Sequence, residues 1–308
     1  MPFFMDLVFT PLLEACKPFR ILEIGSGQGQ LTRQLVTYCR THQSPQYPVH
    51  LDVVDQPYQY DVDWVKRQYA RWASFHQQAS VDFLPEMAYA PDMVFLHGDM
   101  NWYTVFHELT HLQTLSRRYR RPMPVTVVMH VGWPYGRRDN YKAPEKIPSM
   151  FRHPYKRRGI KVGQRALSDD PRQGLMGESL NAAEPYGPRN GVLTAVEDFL
   201  KTSPDSMELV RIEGHQGLAL LVHPQWVDTL PALATLLEAF RLSPVMMQTM
   251  QALERDRLRL AEALVSMQHQ ARTREAEQLL GLTNTGSPSA LMANSIVLAP
   301  DELDIHVT

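Results

Sequence analysis

Short apolar runs alternate with segments of helical period over most of the chain, and that alternation sets the expected architecture. Phe19 to Ile24 and Val49 to Val54 read as buried strands, Pro91 to His97 and Pro124 to Val131 as stronger ones, and Met207 to Ile212 and Gly217 to Val222 as a final pair. Val81 to Leu84 reads as a weak strand or turn. Gln30 to Cys39, Asp61 to Phe75, Asn101 to Tyr119 and Gly191 to Leu200 carry apolar residues at helical spacing. In the second of these, Trp64, Val65, Gln68, Tyr69 and Trp72 fall on one side. Strands interleaved with helices predict an α/β domain, a parallel sheet covered on both faces. The link Glu213-Gly214-His215-Gln216-Gly217 suits a hairpin, so the last two strands are expected to close the sheet antiparallel.

Two stretches break the rhythm. Trp133 to Pro188 is rich in Pro, Gly, Arg and Lys with few apolar runs, which predicts an irregular insert or lid. Beyond Trp226 to Phe240, read as one more helix, Met246, Met250, Leu253, Leu260, Leu264 and Met267 recur at coiled-coil spacing, with Arg257 falling in the same seam. Val245 to Leu280 is therefore expected as a long amphipathic helix that pairs with a second copy of the chain, making a homo-oligomer, or packs back on its own domain. The expected organisation is a main domain over 1–228 with the insert at 133–188, a helical extension over 229–280 and a tail over 281–308.

Size and composition narrow the class. At 308 residues the chain can bury a full core, and a net charge of −2 argues against a chain-wide polyanion footprint. Cys16 and Cys39 are too few for a disulfide framework and lack metal-ligand spacing, which suits a reducing cytoplasm. Met1 to Leu13 is apolar but short, carries no basic leader and is broken by Pro11; no run reaches the roughly 18 apolar residues of a span, so no membrane partner is expected.

The chemistry begins where the first strand ends. Glu23 precedes Gly25-Ser26-Gly27-Gln28-Gly29, a turn in which glycines let the backbone bend sharply and approach a ligand, and a helix follows whose first amides would face that ligand. The spacing G-x-G-x-G lacks the third glycine of the dinucleotide fingerprint, which disfavours NAD. The second strand ends in Asp55, a carboxylate placed to accept ribose hydroxyls; Asp52, inside the strand, is the weaker choice. His97 and Asp99 close another strand, at the sheet edge where ligands of open α/β folds lie.

Strand, glycine turn, helix, strand and terminal acid together resemble the first half of a class I S-adenosylmethionine-dependent methyltransferase. The resemblance implies a Rossmann-like seven-stranded sheet ending in an antiparallel hairpin, and S-adenosylmethionine held by Glu23, Gly25, Ser26, Gly27, Gly29, Asp55 and His97, with adenine near Gln78 to Asp82 and Ser80. Three further stretches, His97-Gly98-Asp99-Met100, Met129-His130-Val131-Gly132-Trp133-Pro134-Tyr135-Gly136-Arg137-Arg138-Asp139 and Gly187-Pro188-Arg189-Asn190-Gly191, resemble a bacterial group of cephalosporin hydroxylase-like and sugar O-methyltransferase proteins. The likeness runs from about Phe19 to Val222. It implies O-methylation of a sugar or secondary-metabolite hydroxyl. Relatives can use carboxylates at these strand ends for a divalent cation. Here Asp99 keeps an oxygen ligand while His130 offers nitrogen, so the pair suits a nitrogen-tolerant metal or a metal-free histidine base. His130, Asp99 and His97 are the catalytic candidates. Trp133, Tyr135, Arg137, Arg138, Asp139, Arg189 and Asn190, at the two ends of the insert, are the expected substrate contacts.

Competing readings have specific carriers. His107-Glu108-Leu109-Thr110-His111 is a formal H-E-x-x-H, the spacing of zinc peptidases, but it lies on a crossover helix between two strong strands. The insert's Lys142, Lys146, Arg152 and neighbouring basic residues, interleaved with tyrosines, could grip RNA; without an RNA module or a basic overall balance, a small molecule or glycan is the better expectation. A non-catalytic cofactor-binding scaffold assembled through the last helix is the runner-up, and an NAD-dependent oxidoreductase the third.

Overall fold

The computed structural model describes residues 2–170 and 173–279; the chain divides into two compact units, Met1–Ser266 and Met267–Thr308. The expected tail over 281–308 lies outside the described residues. Among the described residues there are ten strands: β1 (Arg20–Ile24), β2 (His50–Val54), β3 (Ala73–His76), β4 (Met93–Leu96), β5 (Val125–Met129), β6 (Asn140–Tyr141), β7 (Tyr155–Arg157), β8 (Leu180–Ala182), β9 (Glu208–Ile212) and β10 (Leu218–Val222). Seven of them form one sheet in the order β3-β2-β1-β4-β5-β10-β9. β1 to β5 are parallel, whereas β10 runs antiparallel to both β5 and β9. This is the Rossmann-like methyltransferase architecture expected from the sequence, terminal hairpin included.

The helices are α1 (Pro2–Phe4), α2 (Thr10–Cys16), α3 (Gln30–His42), α4 (Val62–Tyr69), α5 (Ser80–Glu86), α6 (Trp102–Arg118), α7 (Val192–Thr202), α8 (Pro224–Thr229), α9 (Pro231–Phe240) and α10 (Pro244–Leu279). Strand residues alternate between two apolar layers. Ile21, Leu51, Val53, Phe95 and Val127 pack with Leu12, Leu35 and Leu237 on one face, while Leu22, Val94, Leu96 and Val128 pack with Leu84, Leu109 and Val196 on the other.

Three element boundaries differ from expectation. The helix expected over Asp61 to Phe75 stops at Tyr69, and its last residues form edge strand β3, where Ala73 and Phe75 are buried in alternation. Trp72 and Phe75 stand three apart, a spacing that imitates a helix while serving a strand. Val81 to Leu84, expected as a strand or turn, lies within α5. Trp226 to Phe240 is split into α8 and α9 because Pro231 offers no amide to continue the first helix and draws Leu230 to ψ 85°.

The insert has a framework of its own. β6, β8 and β7 form a small antiparallel sheet, and Tyr141, Ile147 and Ala182 make a separate buried cluster beneath it. α10 turns Leu258, only 5% exposed, inward. Among the described residues no helix is long and apolar enough to cross a membrane.

Candidate functional site: a polar cradle at the carboxyl edge of the sheet

β1 has β2 on one side and β4 on the other, so the chain leaves the sheet in opposite directions beyond their carboxyl ends and opens a crevice there. The glycine turn lines it. Gly25, Gly27 and Gly29 have φ of 82°, 51° and 76°. A Cβ on Gly25 would lie 2.3 Å from the Gly98 Cα, so this glycine is required for the turn to press against the end of β4. A Cβ on Gly27 would meet nothing within 4 Å. That position faces open space.

Polar groups without partners surround the turn. Both Glu23 carboxylate oxygens, the Thr32 and Tyr60 hydroxyls, His97 Nδ1 and Asn101 Nδ2 are buried without a hydrogen-bond partner among the described residues. Each such group carries a desolvation cost, and their concentration at the end of β1 and on the segments following β1, β2 and β4 fits a polar ligand. Burial pushes the Glu23 carboxyl up to about 8; Thr32, outside hydrogen-bond geometry but near, opposes the shift and the Asp55 charge adds to it. A cation beside Glu23 would restore its ionised form.

Asp55 has a role the sequence did not suggest. Its Oδ2 accepts from the Ser26 amide at 2.7 Å, the Ser26 hydroxyl at 2.8 Å and the Gly27 amide at 3.2 Å, while Oδ1 accepts from the Gln56 amide at 2.8 Å. The carboxylate therefore shapes the glycine turn. The Ser26 side chain, expected on the cofactor, is turned to Asp55 instead.

The catalytic candidates meet at adjacent strand ends. The His97 and His130 rings stack with centroids 4.8 Å apart and planes at 19°. Burial draws His130 down to about 4 and His97 well below the usual range, and each is further lowered by the Lys142 cation, His97 also by His130. Gln216 Oε1 lies 2.6 Å from His130 Nδ1. Nδ1 then donates, and Nε2 keeps its lone pair. Asp99 stands 3.8 Å from Lys142 Nζ, which also donates to the Gly98 carbonyl at 3.1 Å. Farther along the insert, Lys146 Nζ donates to Gln56 Oε1 at 3.2 Å, so the insert meets the carboxyl edge of the sheet beyond both β4 and β2.

The metal expected on Asp99 and His130 does not fit this arrangement. Among the described residues no three His, Cys, Asp or Glu side chains gather as a metal would require, and the charge facing Asp99 is Lys142.

Four expected substrate contacts are corrected: Tyr135, Arg138, Asp139 and Asn190 are buried, Asp139 tying the insert to the start of α6 and the other three bonding within the insert. Asp139 accepts from the Trp102 amide at 2.7 Å, the Gly191 amide at 2.7 Å and the Tyr141 hydroxyl at 3.0 Å. Asn190 accepts from the Asp139 amide at 2.7 Å, and its amide nitrogen donates to the Glu184 and Tyr186 carbonyls. Arg138 donates to the Ala182, Ala183 and Arg165 carbonyls, and Tyr135 to Asn181 Oδ1. Arg137 forms a two-point pair with Glu197 at 2.6 and 2.7 Å. Of the original set, Trp133 is half-buried and Arg189 exposed, with the Arg189 guanidinium 5.5 Å from the Trp102 ring centre and 5.2 Å from that of Phe151.

Ser80 is also corrected. Its hydroxyl donates to Glu108 Oε1 at 2.5 Å and is turned toward α6. Glu108 is buried, and burial pushes its carboxyl up to about 8 against the influence of Ser80. His107 Nδ1 lies 2.7 Å from the Tyr103 carbonyl oxygen. The glutamate of the H-E-x-x-H spacing thus faces a serine in the core. Thr32, Tyr60 and Gln216 were not identified from the sequence; an aromatic in a strand-to-helix loop and a polar residue in a hairpin turn were the only signals.

No family model matches the chain, and no curated protein matches it. Solved structures with some likeness include an O-methyltransferase family protein from Burkholderia thailandensis, at 12% identity and TM-score 0.40 over 72% of this chain and 56% of that one. The S-adenosylhomocysteine-bound methyltransferase PaMTH1 from Podospora anserina aligns at 14% identity and TM-score 0.39 over 71% of this chain and 76% of that one. The N-methyltransferase NodS from Bradyrhizobium japonicum, in complex with S-adenosylhomocysteine, aligns at 15% and 0.36 over 71% and 86%. At these identities and scores none of them bears on chemistry, and the fold assignment rests on the strand order itself.

Proposed function

We propose that the chain is an S-adenosylmethionine-dependent methyltransferase acting on a hydroxyl of a small-molecule or glycan acceptor, of the kind its sequence resembles in the sugar O-methyltransferase group. The observation that carries this reading is Glu23, buried at the glycine turn with neither oxygen hydrogen-bonded. A carboxylate in that setting suits the cationic amino-acid end of the cofactor, with Thr32 and Tyr60 beside it and the first amides of α3 facing the ligand carboxylate. Asp55 Oδ1, which accepts a single bond within the protein, is the ribose contact, and the segment Gln78 to Asp82, apart from the Ser80 side chain, is the adenine edge. Bound there, the cofactor supplies a methyl group activated by a sulfonium.

The protein's own part is to align the acceptor and take its proton. His130 Nε2 is the acceptor of that proton. Burial, with the Lys142 charge adding to it, keeps the His130 ring unprotonated. Trp133, Arg189 and Lys142 line the approach on the insert side, where cationic and aromatic groups suit a sugar or an anionic metabolite. A second copy of the chain pairs along α10, where Met246, Leu253, Leu260, Leu264 and Met267 are exposed.

Isothermal titration with S-adenosylhomocysteine and with NAD tests the cofactor. Saturable binding of the first and none of the second is expected; the reverse would replace the proposal by an oxidoreductase. Methyl transfer from labelled donor to a panel of glycans and metabolites then separates an enzyme from a scaffold. Light scattering on Leu253→Asp/Leu260→Asp tests the helix pairing, which an unchanged mass would refute.

A further inference from the structure

We infer that Glu254 of the C-terminal helix is a positioning residue for His130, holding its ring orientation and tautomer through the turn between β9 and β10; the role rests on the reading of His130 as the proton acceptor. In that turn Gly214, His215, Gln216 and Gly217 have φ of 95°, 44°, 68° and 70°. Two of these carry a Cβ, for which left-handed backbone is unfavourable, so the turn needs support from outside. Successive amides curved this way form a concave anion-binding surface.

Glu254 supplies the anion. Its Oε1 accepts from the Gln216 amide at 3.4 Å, and its carboxylate is gripped by Arg257 Nε and an Arg257 terminal nitrogen, each at 2.8 Å. Although burial opposes ionisation, Arg257 and then the Gln216 and His215 amides hold the Glu254 carboxyl below its usual range. One turn earlier on α10, Gln251 Nε2 donates to Glu213 Oε1 at 3.4 Å, and the Met250 side chain comes within 3.7 Å of where a Gly214 Cβ would stand. The helix therefore meets the turn at three successive points.

The opposite side of the turn reaches the strand ends. The Gln216 carbonyl accepts from the Gly132 amide at 2.6 Å, and Gln216 Oε1 faces His130 Nδ1 at 2.6 Å. His130 is itself left-handed, at φ 63°. A Cβ on Gly132 would come within 2.7 Å of the Gln216 carbonyl oxygen, so the segments are pressed together and a shift of one moves the other. Gln216 thus joins α10 to the imidazole. While its Oε1 stays in place, Nδ1 keeps the proton and Nε2 keeps the lone pair.

The test uses the full chain labelled with nitrogen-15 histidine. Long-range proton-nitrogen correlations distinguish the two neutral tautomers, and the His130 signals are assigned by their loss in His130→Gln. The wild type is expected to show one His130 tautomer, protonated at Nδ1. Glu254→Ala should give a mixture with at least a fifth of the other form; Glu254→Asp, too short to reach the Gln216 amide, should do the same, and Glu254→Gln, which still offers an oxygen, should restore the wild-type signature. Thermal melts verify folding, and affinity for S-adenosylhomocysteine should stay within twofold, because the cradle is untouched. Wild-type tautomer signals in folded Glu254→Ala or Glu254→Asp would overturn the inference. The readout needs neither cofactor nor acceptor, so failure of the methyltransferase reading would appear separately, as absence of binding.

Discussion

His97 and His130, at the carboxyl ends of neighbouring strands β4 and β5, stack face to face at 4.8 Å, a pair in which burial disfavours a proton on either ring and His130 adds to that at His97. A neutral His130 with a free Nε2 is what proton abstraction requires. Replacing it with alanine is expected to lower methyl transfer by roughly two to four orders of magnitude, the usual range for a general base, with S-adenosylhomocysteine affinity unchanged. Single-turnover kinetics beside calorimetry make that separation.

Glu23 ties cofactor binding to pH. Its carboxyl sits at about 8 in the folded chain against 4.5 for an unperturbed glutamate. A cationic ligand prefers the ionised form, so affinity for S-adenosylhomocysteine should rise with pH up to about 8 and then level off, by at most about tenfold per unit. The stability effect has the opposite sense. The fold favours the protonated group, so the stabilising contribution of Glu23 is present below 4.5 and is lost as pH rises through 8. Glu23→Gln should therefore melt several degrees higher than the wild type at pH 8, match it at pH 4.5, and bind S-adenosylhomocysteine at least tenfold more weakly. Melting curves at both pH values check the first two outcomes; calorimetry checks the third.

Asp139 is a structural anchor. Alanine there would leave the Trp102 amide, the Gly191 amide and the Tyr141 hydroxyl without their acceptor in a buried setting, at a cost of about 3 to 5 kcal/mol. Urea denaturation measures that loss. A direct role on the acceptor would instead appear as lost activity at nearly unchanged stability.

What the sequence revealed followed from local physics. The glycine turn, the strand-end positions of Asp55, His97 and His130, and the terminal hairpin were legible because backbone freedom and apolar periodicity act within a few residues. The third strand was not, because Trp72 and Phe75 suit a helix as well as an edge strand. The motif Tyr135 to Asp139 was found but misassigned: its charged residues look like substrate contacts until the three-dimensional structure shows Arg138 and Asp139 bonded to backbone from Ala182 and Gly191 and Arg137 paired with the Glu197 side chain. Thr32, Tyr60 and Gln216 escaped because their importance is relational, arising from what burial leaves unpaired or from contacts across the fold.

Ser80 and Glu108 form a buried hydrogen bond between α5 and α6, which removes Ser80 from the cofactor and Glu108 from any peptidase role. Ser80→Ala is expected to destabilise the chain by about 1 to 3 kcal/mol, leaving Glu108 unpaired, with S-adenosylhomocysteine affinity within twofold of wild type. Elemental analysis should show no stoichiometric zinc that His111→Ala removes. Zinc lost in that variant would restore the peptidase reading.

The position of Gly27 separates a cofactor cradle from a merely tight turn. A methyl group there meets no protein atom within 4 Å and adds only the strain of a left-handed residue at φ 51°, about 1 to 2 kcal/mol. Calorimetric titration of S-adenosylhomocysteine into wild type and a folded Gly27→Ala should show one-to-one binding in the first and at least a hundredfold loss in the second; absence of binding to the wild type, or equal binding to both, would contradict a cofactor cradle at the glycine turn.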